Sequence, residues 1–132
     1  LPLLVGLLSA CTGVPLAQSA APSTSETLVI TDLRGHRIDV RAGQPFEIRL
    51  PSTPSTGYRW TLTDPIPATV RQDGEPRYEQ AAQPMPGAPG VEIWRFVGAG
   101  PGQGTLRFEY RRPWEPATVP PAQRTRYRVE VR

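Results

Sequence analysis

A two-sheet, all-β sandwich of seven or eight antiparallel strands is the fold this sequence predicts, and three observations predict it. Apolar residues recur at every second position in run after run, the period of a strand with one buried face. No run of useful length carries the period of a helix. The 17 prolines and 12 glycines fall between the apolar runs rather than inside them, which is turn chemistry. Seven or eight such strands in about a hundred residues fit a sandwich, with a small barrel as the alternative.

The first ten residues, LPLLVGLLSA, are apolar and uncharged. A bilayer span needs roughly 20 helical residues. Residues 1–10 therefore read as the apolar part of a secretory signal peptide, truncated at its start because a methionine and a positive n-region are missing. Cys11, the sole cysteine, follows in LLSAC, which resembles a bacterial lipobox whose cysteine is lipidated and becomes the mature N-terminus. The other reading is an ordinary signal peptide with an incidental cysteine. Export to the cell envelope follows on either. With a lipid on Cys11 the chain is a membrane-anchored lipoprotein facing the periplasm or the exterior. Residues 12–25 are uncharged and rich in small residues and proline, a flexible tether with a mean reach on the order of 20 Å.

The domain proper runs over residues 26–132. Its apolar alternation places Leu28 and Ile30 on one face, then Ile38 and Val40, then Phe46, Ile48 and Leu50 with Glu47 and Arg49 turned the other way. Trp60 and Leu62 continue the pattern, as do Leu106, Phe108 and Tyr110, and finally Tyr127, Val129 and Val131. One strand departs from it. In VEIWRFV the neighbours Ile93 and Trp94 are both large, which predicts a strand crossing near the sandwich edge, or one whose outer face carries a contact.

All 15 basic side chains are arginine, the net charge is only +3, and arginine alternates with acid along the strands, as in RVEVR. That is the composition of a solvated strand face, and Arg111-Arg112 is the only adjacent basic pair, so no nucleic-acid partner is expected. Catalysis is disfavoured as well. His36, the single histidine, lies in an expected turn, RGHR, and no second histidine exists to form a metal pair. Ser52, Thr53, Ser55 and Thr56 are hydroxyls with no evident base except His36. The expectation is a protein that is not an enzyme and uses no metal and no cofactor. GAGPGQG, residues 98–104, fits neither G-x-G-x-x-G nor the P-loop pattern, and reads as a glycine-rich hairpin turn between the Ile93 and Phe108 strands.

Three loops stand apart: residues 51–57, residues 80–90 (QAAQPMPGAPG) and residues 111–123 (RRPWEPATVPPAQ). Each is proline-rich, and proline fixes φ and lowers the entropy lost on ordering, so all three are expected to be stiff. In an immunoglobulin-like sandwich such connections emerge at one end. Trp114, between two prolines, either folds back onto the sandwich end or stands exposed as an aromatic anchor. Arg112 beside it can stack or fork onto a carboxylate.

TPSTGYRW followed by RRPWEP resembles the chagasin-type inhibitors of papain-like cysteine peptidases, in their bacterial lipoprotein form. That family carries an N-P-T-T-G-Y loop, a G-x-G-G loop and an R-P-W loop on an immunoglobulin-like sandwich. Pro54, Ser55, Thr56, Gly57 and Tyr58 stand in the first motif, with Trp60 following. Arg112, Pro113 and Trp114 reproduce the third. Gly87, Ala88, Pro89 and Gly90 are preferred for the second because they leave room for two strands before Arg112, whereas Gly98 to Gly102 leave room for one. Thr53 replaces the family's asparagine, and Pro89 replaces a motif glycine and removes a backbone N–H. The resemblance implies a monomeric, reversible, tight-binding inhibitor that plugs the cleft of a papain-like cysteine peptidase with three loops. The competing reading is an exported immunoglobulin-like adhesion or assembly module that uses the same loop end for another envelope or host protein.

Overall fold

The computed structural model describes residues 26–81, 85 and 87–132, together with Pro2, Gly6 and Gly13. Cys11, the rest of the signal and tether, and residues 82–84 and 86 of the second loop lie outside the described residues. Nine strands follow in chain order: β1 (Leu28–Ile30), β2 (Arg37–Val40), β3 (Pro45–Ser52), β4 (Arg59–Leu62), β5 (Val70–Gln72), β6 (Arg77–Glu79), β7 (Gly90–Gly98), β8 (Gly102–Arg111) and β9 (Gln123–Val131). One sheet has the order β1-β3-β7-β5, with β6 also paired to β7, and the other has the order β2-β9-β8-β4. The fold is the expected all-β sandwich. β5 and β6 bring the strand count above the seven runs of alternation. Two edge pairs, β1 on β3 and β2 on β9, are parallel rather than antiparallel.

The alternating apolar residues make one core between the sheets. Phe46, Ile48, Leu50 and Phe96 from one sheet are fully buried, as are Tyr127 and Val129 from the other. Phe108 is its hub, meeting Trp94, Phe96 and Tyr127 edge-on with ring centroids 5.2, 6.4 and 6.0 Å away. Burial of each such side chain contributes about 1.5–3 kcal/mol. Two polar side chains that the core covers find partners on the turn before β2, whereas Trp94 Nε1 and Thr69 Oγ1 are buried without one among the described residues. The Tyr127 hydroxyl donates to the Asp32 carbonyl and Thr125 Oγ1 to the Leu33 carbonyl, both at 2.7 Å. These bonds pin the turn before β2 onto β9.

Of the two readings the sequence left open for β7, the structure supports a covered outer face rather than a place at the edge. The strand is central, flanked by β3 on one side and by β5 and β6 on the other. Trp94 faces the core, while Ile93, only 1% exposed, lies on the outer face with Arg49 and Arg77 as its cross-strand neighbours. Glu47 is buried on that same face, where Arg95 at 2.9 Å and Arg49 at 3.4 Å offset the cost of burying its charge.

The glycine-rich run at 98–104 is not a hairpin either. β7 and β8 belong to different sheets, so this turn carries the chain across the sandwich. A Cβ at Gly98 would come 2.6 Å from the Arg41 carbonyl oxygen, which is why the crossing needs glycine there.

Candidate functional site

Strand register brings the three loops to one end. The last residue of β3, Ser52, pairs with the first of β7, Gly90. The first residue of β4, Arg59, pairs with the last of β8, Arg111. The connections 53–58, 87–89 and 112–122 therefore all leave the same pole, and the first of them also spans the two sheets.

Pro54–Thr56 form a single 3-10 turn. Thr56 N donates to the Thr53 carbonyl at 3.0 Å, and Gly57 N donates to the Pro54 carbonyl at 2.9 Å. Thr56 Oγ1 donates a further bond to the Thr53 carbonyl at 2.6 Å. Proline suits the first position of such a turn because its fixed φ is already right and its missing N–H is not needed. Gly57 ends the turn at φ +83, in the left-handed region that glycine alone enters without cost. Thr53 makes no side-chain cap; its backbone N–H donates to the Tyr110 hydroxyl at 3.0 Å. The turn is braced by its own main chain and by a neighbouring strand.

Beneath the turn an aromatic stack leads from core to tip. Trp60, 3% exposed, stacks on Tyr110 with centroids 4.8 Å apart, and Tyr110 lies 5.2 Å from Tyr58. The indole N–H of Trp60 donates to the Pro51 carbonyl at 2.9 Å. The Arg112 guanidinium sits over the Tyr58 ring at 4.4 Å. Its Nε donates to the Thr56 carbonyl at 3.0 Å, and its charge meets Glu115 at 3.5 Å. Arg112 is thus stacked and engaged within the chain, joining the third loop to the first.

Trp114 does both things the sequence left open. The ring edge lies against Gly57 so closely that a Cβ there would collide with it, yet the side chain remains 68% exposed. Two turns and Arg111 Nη1, which donates to the Val119 carbonyl at 2.6 Å, hold the rest of the loop. In the second loop, Gly87 turns at φ +78 and Ala88 N donates to the Met85 carbonyl at 2.9 Å. Gly87 and Pro89 are exposed, Ala88 is half-buried and Gly90 is buried. A Cβ on Gly90 would strike the Tyr78 hydroxyl and the Glu79 carbonyl, so this glycine serves the packing of β6.

Two residues of this end escaped the sequence reading as site residues. Tyr110 is the middle of the stack. Glu92 accepts the Trp60 backbone N–H at 3.1 Å, and burial pushes its carboxyl up, against the opposing pull of Trp60, Ser52, Trp94 and Arg59. Its place in β7 was a usable signal, because Glu92 shares the inward parity of Trp94 and Phe96. His36 lies away from the loops, 3.6 Å from Asp32.

A family model described as Chagasin family peptidase inhibitor I42 matches residues 39–131, a span that contains all three loops. Among solved structures, the cysteine protease inhibitor EhICP2 from Entamoeba histolytica superposes with a TM-score of 0.69 at 23% identity, covering 80% of this chain and 96% of its own. Amebosin superposes with a TM-score of 0.56 at 24% identity, covering 81% and 99%. Both are similar in fold. No curated protein matches the sequence.

Proposed function

This chain belongs to the chagasin family of peptidase inhibitors, a family of inhibitors rather than enzymes, and on that premise we propose that it inhibits papain-like cysteine peptidases by reversible occlusion of the active-site cleft. The observation that carries the reading is the joint between loops: Trp114 against Gly57 and Arg112 bonded to Thr56, all at the end where the 87–90 segment begins β7. Ser55, Thr56 and Gly57 present a narrow tip of small side chains that can descend to the base of a V-shaped cleft. The tip is a hydrogen-bonded turn rather than an extended segment, so its peptide bonds are not offered in the pose a peptidase cleaves. Trp114 grips one wall and the 87–90 loop the other. Loops already held by internal bonds avoid part of the ordering cost of binding, about 0.5–1.5 kcal/mol per immobilised side chain.

The reading extends to the remaining expectations. The domain at 26–132 acts as a monomer, exported to the cell envelope and held there by a lipid on Cys11 through the 12–25 tether. Steady-state inhibition of active-site-titrated papain by the full chain tests the core of this. Inhibition is expected, and Thr56→Trp, too bulky for the base of the cleft, is expected to abolish it while the fold is kept. A fully active Thr56→Trp variant would place the tip outside the cleft, and absence of inhibition by the wild type would overturn the reading.

A further inference from the structure

We propose a second functional surface on this molecule: the solvent face of the β2-β9-β8-β4 sheet, at its arginine groove, docks on an anionic phospholipid membrane. The inference is independent of the inhibitor reading and of Cys11.

The charge of the chain is not evenly spread. The outward positions of these four strands carry seven arginines against Asp39, Glu109 and Glu130. That excess of four exceeds the +3 of the whole chain, so the remainder of the protein is slightly acidic. Register sharpens the asymmetry. Arg37 of β2 stands directly opposite Arg128 of β9, and Arg107 of β8 directly opposite Arg126 of β9. Like charges facing each other across a sheet are unfavourable, and two such pairs side by side are not explained by packing. Carboxylates offset only half of them. Arg37 is paired with Asp39 and Glu130, and Arg107 with Asp64. Arg126 and Arg128 have no ion-pair partner among the described residues.

These four guanidinium groups, with His36, border an open groove of about 300 Å³. The turn before β2 completes it. Gly35, at φ +66, lies so near the Arg126 carbonyl that any Cβ would collide with it, and this close approach sets His36 and Arg37 at the groove's rim. Planar guanidinium forks suit phosphate oxygens. A broad sheet face with an unpaired arginine pair at its centre matches a layer of phosphate headgroups better than a narrow acidic peptide. The partner is therefore the anionic lipid surface itself. The groove lies on the sheet face, whereas the three loops leave by its end, so docking leaves the loop end uncovered.

Sedimentation of the full chain carrying Cys11→Ser, which takes no lipid, with vesicles of equimolar phosphatidylglycerol and phosphatidylcholine, against vesicles of phosphatidylcholine alone, tests the proposal. Tighter binding to the anionic vesicles is expected. Arg126→Gln/Arg128→Gln should weaken it about thirtyfold, the loss that two arginines at such a surface carry. Thr105→Glu, which places a negative charge in the groove from β8, should weaken it by an independent route. Arg71→Gln/Arg77→Gln removes the same charge from the other sheet and should bind as wild type. Equal binding to both vesicle types would overturn the proposal, as would equal losses in the two arginine double variants. Release of the protein by inorganic phosphate at constant ionic strength would assign the groove to a free anion and overturn it too, as would retention on immobilised DNA without vesicle binding.

Discussion

Gly57→Ala probes the joint on which the loop end depends. Gly57 sits at φ +83, where a Cβ costs roughly 1–2 kcal/mol. A glycine-to-alanine change also stiffens the unfolded chain, which returns about 0.4–1 kcal/mol. The backbone alone therefore predicts a net loss of between about 0 and 1.6 kcal/mol, centred near 1 kcal/mol. The second effect is local, because the new methyl would occupy the place of the Trp114 ring. With 68% of Trp114 already exposed, the ring can swing into solvent with little further cost to the fold. What its displacement removes is the pose of the anchor beside Thr56. Two readouts should therefore separate. For a loss of about 1 kcal/mol in a domain of this size, thermal unfolding falls by about 4–8 °C. The inhibition constant against papain rises by tenfold or more, about 1.4 kcal/mol at least. A double-mutant cycle isolates the cause: in a Trp114→Ala background, Gly57→Ala should cost almost nothing further in inhibition. Additive effects, or an unchanged inhibition constant in the single variant, would refute the joint.

Three further perturbations follow from the same geometry. Trp114→Ala should weaken papain inhibition by about 2 kcal/mol or more with the unfolding midpoint unchanged, and equal inhibition constants would remove Trp114 from the contact. Arg112→Lys keeps the charge but loses the Nε bond to Thr56 and the planar stack on Tyr58; it should weaken inhibition by about 1 kcal/mol, nearly as much as Arg112→Ala, and full activity of the lysine variant would show that charge alone suffices. For Glu92 the folded carboxyl titrates above the unfolded one because burial disfavours its charge, so the native state binds more protons in that window. Stability from this group is then present at acidic pH and lost as pH rises from the ordinary glutamate range through the raised value. Urea midpoints of Glu92→Gln relative to wild type should accordingly improve as pH goes from acidic to neutral, and a pH-independent difference would contradict the assignment.

Most of the sandwich is legible because its strands keep one face in the core, and alternation from Phe46 to Leu50 or from Tyr127 to Val131 reports that directly. β6 is not, since all three of its residues are exposed and it leaves no period to read; β5 has only Val70 buried. The parallel edge pairings join segments far apart in sequence, and no local pattern encodes them. Ile93 left two readings open because a large outward residue reads either as an edge contact or as a strand covered on both faces. The central position of β7 decides for the second. At the loop end, the small-residue turn and the Trp loop are visible as composition. The bonds that hold them are not: Tyr110 supplies a hydroxyl to Thr53 from a strand position that looks like ordinary core. Arg112 looks free to meet a partner, yet its guanidinium is held by Thr56, Tyr58 and Glu115.

The central claim is that three braced loops fill the cleft of a papain-like enzyme without being cut. Alkylation of papain's catalytic thiol by iodoacetamide in the presence of saturating inhibitor measures it most directly, with the inhibitor chain weighed by mass spectrometry afterwards. The thiol should be shielded for as long as the complex lasts, regain its reactivity on dissociation, and leave the inhibitor intact. Alkylation at the free-enzyme rate within the complex, or cleavage of the chain between Thr53 and Tyr58, would contradict it.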